Sequence, residues 1–316
     1  MGRRREKMGK SEAFFHEGKP EELRLENEML SVVILPQLGG KVSSVYFKPQ
    51  AFELAAPNTR GVYHIPGEDA DFSQYDASGL DDAFPNIDTA EMERNGEKVC
   101  YPDHGEIWSH PFRVISQSPS GAVLEWESSR FGYRYEKQLR LEESSLLFDW
   151  SITNTGETAI PSIWTFHGLM RYEEDMRLVL PSDLSHFRNV MDSPLLGKAG
   201  TVYERENSVW DFESVPKRQP QTALKFYGEG RSSEGVCGLR YPSQKTACTL
   251  TYSADRLPWL GVWITARGYR GDYNVALEPS NGFYDEIFTA KKNGCLYEIP
   301  AKETLSFSLG LKLETI

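Results

Sequence analysis

Apolar and polar positions alternate with a period of two through most of this chain. Near the C-terminus Leu305, Phe307, Leu309 and Leu311 fall on one side, while Ser306, Ser308, Gly310 and Lys312 fall on the other. That is the pattern of a strand with one buried face. Similar runs predict strands over Met29–Leu35, Val42–Phe47, Ala122–Glu127, Tyr133–Leu141 and Leu146–Ile152 in the first half. Arg177–Leu180, Ala223–Tyr227, Val236–Tyr241, Ala247–Tyr252, Leu260–Thr265, Tyr273–Leu277 and Leu305–Leu313 complete the series. Gly, Pro, Asn and Asp separate the runs, as in Leu38-Gly39-Gly40 and Asn154-Thr155-Gly156. Long helical patterns are absent, and the charged segment Pro20–Asn27 reads as a surface helix or loop. Residues 51–103 carry few strand runs and many Asp, Pro and aromatic residues, so they read as a long irregular insertion of the kind that carries function. No Pro- or Ser-rich linker and no fixed repeat divides the chain. The pattern predicts an all-β fold: one antiparallel β-sandwich domain over residues 1–316, with 1–12 flexible.

Composition narrows the function classes. With 316 residues, 39% of them hydrophobic and 26% charged, the chain can bury a large core. Its net charge of -11 disfavours nucleic acid or an anionic membrane as a partner and suits a neutral small molecule, although plain solubility explains the acidity equally well. The four cysteines, Cys100, Cys237, Cys248 and Cys295, show neither a C-x-x-C pair nor zinc spacing. They read as free thiols in a reducing compartment, so the expectation is a cytoplasmic protein. The basic start, Met1 to Lys7, is followed by no apolar stretch of the signal-peptide kind. No apolar run approaches the ~20 residues that span a bilayer.

The usual catalytic signatures are missing: no phosphate loop, no G-x-G-x-x-G after a strand, no G-x-S-x-G elbow and no H-E-x-x-H. What remains is two of only six histidines, His104 in Pro102-Asp103-His104-Gly105-Glu106 and His167 in Trp164-Thr165-Phe166-His167-Gly168, and Glu278 in Leu277-Glu278-Pro279-Ser280-Asn281-Gly282. Histidine moves protons near neutral pH, and a carboxylate in a dry pocket can be tuned to accept one. Each has a plainer reading: His167 as a satisfied core histidine, His104 as a turn cap beside Asp103, and Glu278 as a solvated carboxylate at a strand end. Asp103 can also serve to orient the His104 ring. Nothing in the spacing favours a metal, and no cofactor is implied.

These motifs, with Leu38-Gly39-Gly40-Lys41-Val42 and Asp81-Asp82-Ala83-Phe84-Pro85-Asn86-Ile87, resemble the aldose 1-epimerase (galactose mutarotase-like) superfamily over nearly the whole length. The likeness is greatest to its uncharacterised bacterial members. The resemblance implies a many-stranded β-sandwich with a sugar cleft on one concave face. It implies that Glu278 removes the proton of the anomeric hydroxyl, that His167 protonates the ring oxygen, and that His104 binds and polarises the ring oxygen or a neighbouring hydroxyl. The ring then opens and recloses to the other anomer. Asp82 and Asn86 are candidate hydroxyl ligands, Phe84 and Trp164 candidate stacking surfaces, Asn281 a hydroxyl ligand or turn residue, and Lys41 a cation able to reach the cleft. Trp263 can face either way. The family's further mid-chain aspartate has only loose counterparts in Asp211 and Asp255, and its arginine-bearing loop is replaced by Asp81–Ile87. The expectation is an isomerase acting on a free aldose as a monomer or homodimer. The alternatives are a carbohydrate-binding protein without turnover on the same fold, or the epimerase-like domain of a sugar-processing lyase or hydrolase.

Overall fold

The structure is a computed structural model that describes residues 20–94 and 96–316; the N-terminal stretch expected to be flexible lies outside them. Two antiparallel sheets dominate. The larger has eleven strands, and along its path the strands Leu80–Ala83, Thr165–Arg171, Tyr273–Ser280, Trp259–Ala266 and Thr222–Gly228 are successive neighbours. The smaller has eight, with Thr304–Thr315 at its centre between Thr246–Tyr252 and Ser145–Asn154. The all-β sandwich expected from the alternation is the fold observed.

Alternation decides which side chains meet between the sheets. Phe166 and Met170, Val275 and Leu277, Val262 and Ile264, and Leu224 and Phe226 belong to one buried cluster with Leu146, Phe148, Trp150, Phe307 and Leu309 from the second sheet. Trp150 stacks between Phe148 and Phe307, at ring separations of 5.2 and 5.5 Å. The partners of these residues one position along each strand must therefore point outward, and that outer face carries the chemistry described below.

Three readings of the sequence are corrected. Leu23–Glu26, inside the stretch read as helix or loop, is a strand paired with Leu30–Leu35; Leu23 and Leu25 are buried while Arg24 and Glu26 are exposed, a period of two hidden among charges. Residues 51–103 are less irregular than expected: they hold the sheet strand Leu80–Ala83 and the hairpin Ala90–Arg94/Glu97–Tyr101. Glu278 is not beyond a strand end, because the ladder continues to Ser280, and Pro279 costs a backbone donor only one residue before pairing stops. The strand Thr165–Arg171 showed no alternation because six of its seven residues are buried, one face against the core and the other under loops.

Candidate functional site

The register of three strands brings two of the candidate residues, His167 and Glu278, together. Thr165 pairs with Ser280 and Leu169 with Ala276, which sets His167 opposite Glu278. On Glu278's other side the neighbour is Gly261. A Cβ at position 261 would stand 3.0 Å from Glu278 Oε2 and 2.8 Å from Tyr227 Cζ, so only glycine leaves the carboxylate and the tyrosine in place. One strand further, Lys225 projects from the same face.

His104 arrives from a loop. It sits in the left-handed region at φ 57°, held there by its backbone N–H donating to Ile87 O (2.6 Å) and by the Asn86 amide donating to Pro102 O (2.6 Å). Gly105, at φ 71°, passes so close to Phe84 that a Cβ would meet its carbonyl oxygen at 2.1 Å. A non-glycine residue held at positive φ over such anchors is characteristic of a functional site. The His104 ring stacks on Phe72 at 4.0 Å and meets His167 edge-on at 5.0 Å. Its Nδ1 lies 2.8 Å from Asp103 Oδ1, and Asp103 Oδ2 accepts the Phe72 N–H at 2.9 Å.

His104, His167 and Glu278 line one cavity of about 300 Å³, together with Phe72, Trp263 and Tyr269 as aromatic walls and with Asp88, Lys225 and Asp285 as further charged groups. That size is at the small end of ligand sites, matched to one ring rather than a chain of them. Glu278 is fully buried, yet neither of its oxygens finds a hydrogen-bond donor among the described residues. Lys225 Nζ lies 3.7 Å from Oε2 and 3.0 Å from Asp285 Oδ2, and Asp285 Oδ1 accepts from the Tyr227 hydroxyl at 2.6 Å. Burial pushes the Glu278 carboxyl above its ordinary range, with Lys225 opposing. Burial likewise drives His167 well below the usual imidazole value, reinforced by His104, Lys225 and Lys41, and His167 Nδ1 is buried without a partner among the described residues. In both groups burial favours the uncharged form.

Trp263, which could have faced either way, turns into this cavity; the remaining residues singled out in the sequence do not line it. Asp82 faces the core, where its Oδ2 lies 2.9 Å from Lys137 Nζ and accepts from Trp150 Nε1 at 3.1 Å and the Tyr135 hydroxyl at 3.2 Å. Trp164 belongs to the same network through Nε1 to Tyr135 (2.7 Å). Phe84 packs against Tyr133, and Asn86 holds the His104 loop. Asn281 Oδ1 accepts the Trp164 N–H at 2.6 Å and so ties the start of the His167 strand to the end of the Glu278 strand. Lys41, rather than reaching the cavity, is buried against Asp76 and Asp81; the Asp81 carboxyl is pushed up to about 6 by burial, opposed by Lys41. Asp211 and Asp255 pair with Arg177 and Arg256 at exposed sites. The carboxylates that do reach the cavity, Asp88 and Asp285, were missed, as were Lys225 and Phe72. Lys225 had a signal, standing between Leu224 and Phe226 on a strand where one face must be covered. Asp285 had none.

Residues 127–313 match the model of a family described as Domain of unknown function (DUF4432). The chain belongs to that family. No curated protein matches it by sequence. Solved structures share its fold along almost the full length. The Slr1438 protein from Synechocystis sp. PCC 6803 superposes with a TM-score of 0.74 at 18% identity, covering 97% of this chain and 100% of that one. A galactose mutarotase-like protein from Lactobacillus casei ATCC 334 gives 0.71 at 16% identity, over 93% and 100%. A galactose mutarotase related enzyme from Lactobacillus acidophilus gives 0.68 at 14%, over 93% and 98%. The likeness is one of fold, and it agrees with the superfamily resemblance read from the motifs. No helix among the described residues is long and apolar enough to cross a membrane.

Proposed function

We propose that this DUF4432 protein is an aldose 1-epimerase-like isomerase that exchanges the α and β anomers of a free sugar by opening and reclosing its ring. The observation that carries this reading is Glu278: a fully buried carboxylate without hydrogen-bond donors among the described residues, opposite one imidazole and in the same cavity as a second. An anion so placed is costly to the fold, and a substrate hydroxyl provides the donor it lacks. Opening a hemiacetal needs one group to take the hydroxyl proton and another to deliver a proton to the ring oxygen, with the roles reversed on closing. The carboxylate and the imidazoles meet that requirement without further chemistry. Phe72 and Trp263 offer flat apolar surfaces to a pyranose, whose two faces are unequal in polarity. The same cavity would serve a binding protein, and turnover is what separates the two.

The test is anomer exchange followed by NMR over a panel of aldoses, wild type against Glu278→Gln and His167→Ala. Exchange above the buffer rate that disappears in Glu278→Gln supports the isomerase. Calorimetric sugar binding without exchange, unaltered by Glu278→Gln, replaces it with the binding protein.

A further inference from the structure

The two imidazoles of the cavity are not equivalent. His104 has a carboxylate in contact: Asp103 Oδ1 stands 2.8 Å from Nδ1, and Asp103 is itself fixed by the Phe72 N–H on its other oxygen. Trp108 Nε1 donates to the Asp103 carbonyl at 2.9 Å, which anchors the backbone of the pair. With Nδ1 engaged by Asp103, the nitrogen of His104 left for a ligand is Nε2. His167 has no carboxylate in hydrogen-bond contact among the described residues: its Nδ1 is buried without a partner there, Glu278 and Asp81 stand opposite it on the two neighbouring strands, and burial together with His104, Lys225 and Lys41 opposes its protonation.

We propose that the Asp103–His104 pair donates the proton to the ring oxygen, and that His167 stays uncharged and positions the sugar by a hydrogen bond. This rests on the anomer-exchange reading and reverses the roles that the family resemblance implies for the two histidines. In the opening step Glu278 takes the proton of the anomeric hydroxyl, and the carbon–ring-oxygen bond breaks with its electron pair going to oxygen. That oxygen receives the Nε2 proton of the doubly protonated His104, leaving a carbonyl at the anomeric carbon. Closing runs the same transfers backwards on the other face: the hydroxyl attacks the carbonyl, its proton returns to His104, and Glu278 gives its proton to the new anomeric oxygen. The charged or titratable groups around His104 are Asp103 on its own loop, His167 and Glu278 on the sheet, Asp88 beside the Ile87 carbonyl that accepts the His104 N–H, and Asp285 and Lys225 in the same cavity. A carboxylate held against the outer nitrogen of an imidazole orients the ring and stabilises its charged form during transfer.

Nitrogen-15 NMR of the imidazoles in the full chain, combined with pH profiles of exchange, tests the assignment. The expected result has His104 as the ring that gains a second proton within the working pH range, while His167 remains neutral. Asp103→Asn moves the basic limb of the kcat profile to lower pH. His104→Gln loses roughly 10²–10⁴-fold in kcat, whereas His167→Gln raises KM about tenfold or less and leaves the basic limb in place. A charged His167 in the spectra overturns the proposal, as does a basic limb that ignores Asp103→Asn and vanishes in His167→Gln. The spectra decide which ring carries the charge even if no sugar on the panel turns over, and that separate outcome counts against the isomerase reading instead.

Discussion

Two buried glutamates in this chain live in opposite circumstances. Glu106, two residues after His104, is enclosed by donors: its Oε2 accepts from Ser128 Oγ at 2.7 Å and from the Tyr133 hydroxyl at 2.9 Å, and Arg130 Nε lies 3.6 Å from Oε1. Glu278 is at least as buried and accepts nothing among the described residues. A buried acceptor left unmatched costs about 1–3 kcal/mol, and a fold tolerates that where the group has other work. The difference separates structure from function more sharply than burial or residue type does. Glu106 joins the loop of His104 to the hairpin beneath it, and Glu278 keeps both oxygens open to the sugar hydroxyl of the proposed function.

The largest test of the contrast is on rate. Glu278→Gln is expected to reduce anomer exchange by roughly 10²–10⁴-fold with circular dichroism unchanged, while Glu106→Gln keeps most of its exchange per folded molecule. A similar loss in both would break the distinction. Gly261→Ala should come next. Its methyl group crowds Glu278 Oε2 and the Tyr227 ring, and a displacement of the base by a few tenths of an ångström to 1 Å can cost up to about 10²-fold. The reading is a fall in kcat at nearly constant thermal stability.

Stability should show the inverse order. Glu106→Ala leaves the Ser128 and Tyr133 hydroxyls without their acceptor and is expected to destabilise by about 1–3 kcal/mol, measured by urea unfolding. The smallest effect is one of pH. Because burial raises Glu278 above its unfolded value, the folded state binds its proton more tightly than the unfolded chain does. The associated stability is fully present below the unfolded carboxylate pKa and is lost as the pH rises through the folded one. Glu278→Gln removes that loss. Its melting temperature should therefore gain on wild type as the pH climbs above the ordinary carboxylate range; a gap that is constant with pH would mean the carboxylate is not under strain. Such a gain with loss of turnover is the stability–activity trade expected of a strained site.

Legibility in the sequence follows from how local each property is. Most strands with one wet face declared themselves, Leu23–Glu26 among its charges being an exception, and Val236–Tyr241 was read to the residue. Thr165–Arg171 did not, since covering both faces erases the alternation. Within Asp81-Asp82 the two carboxylates point to opposite sides of the sheet: Asp81 lies opposite His167, and Asp82 joins Lys137 in the core. Adjacent and chemically identical, they could be told apart only once the register was known. Asn86 and Asn281 carried a real signal, yet their amides serve the backbones that hold His104 and His167 rather than the cavity itself.

By itself, then, the order of residues determined the all-β class and most strand positions and singled out the three side chains proposed for acid–base chemistry, because alternation and motif are properties of neighbours along the chain. The pairing of His167 opposite Glu278, the entry of Lys225 and Asp285 and the inward turn of Asp82, Trp164 and Lys41 were decided by the assembled sheets. Face and register depend on which strands lie side by side, and a shift of one residue would have sent every one of those side chains to the opposite face.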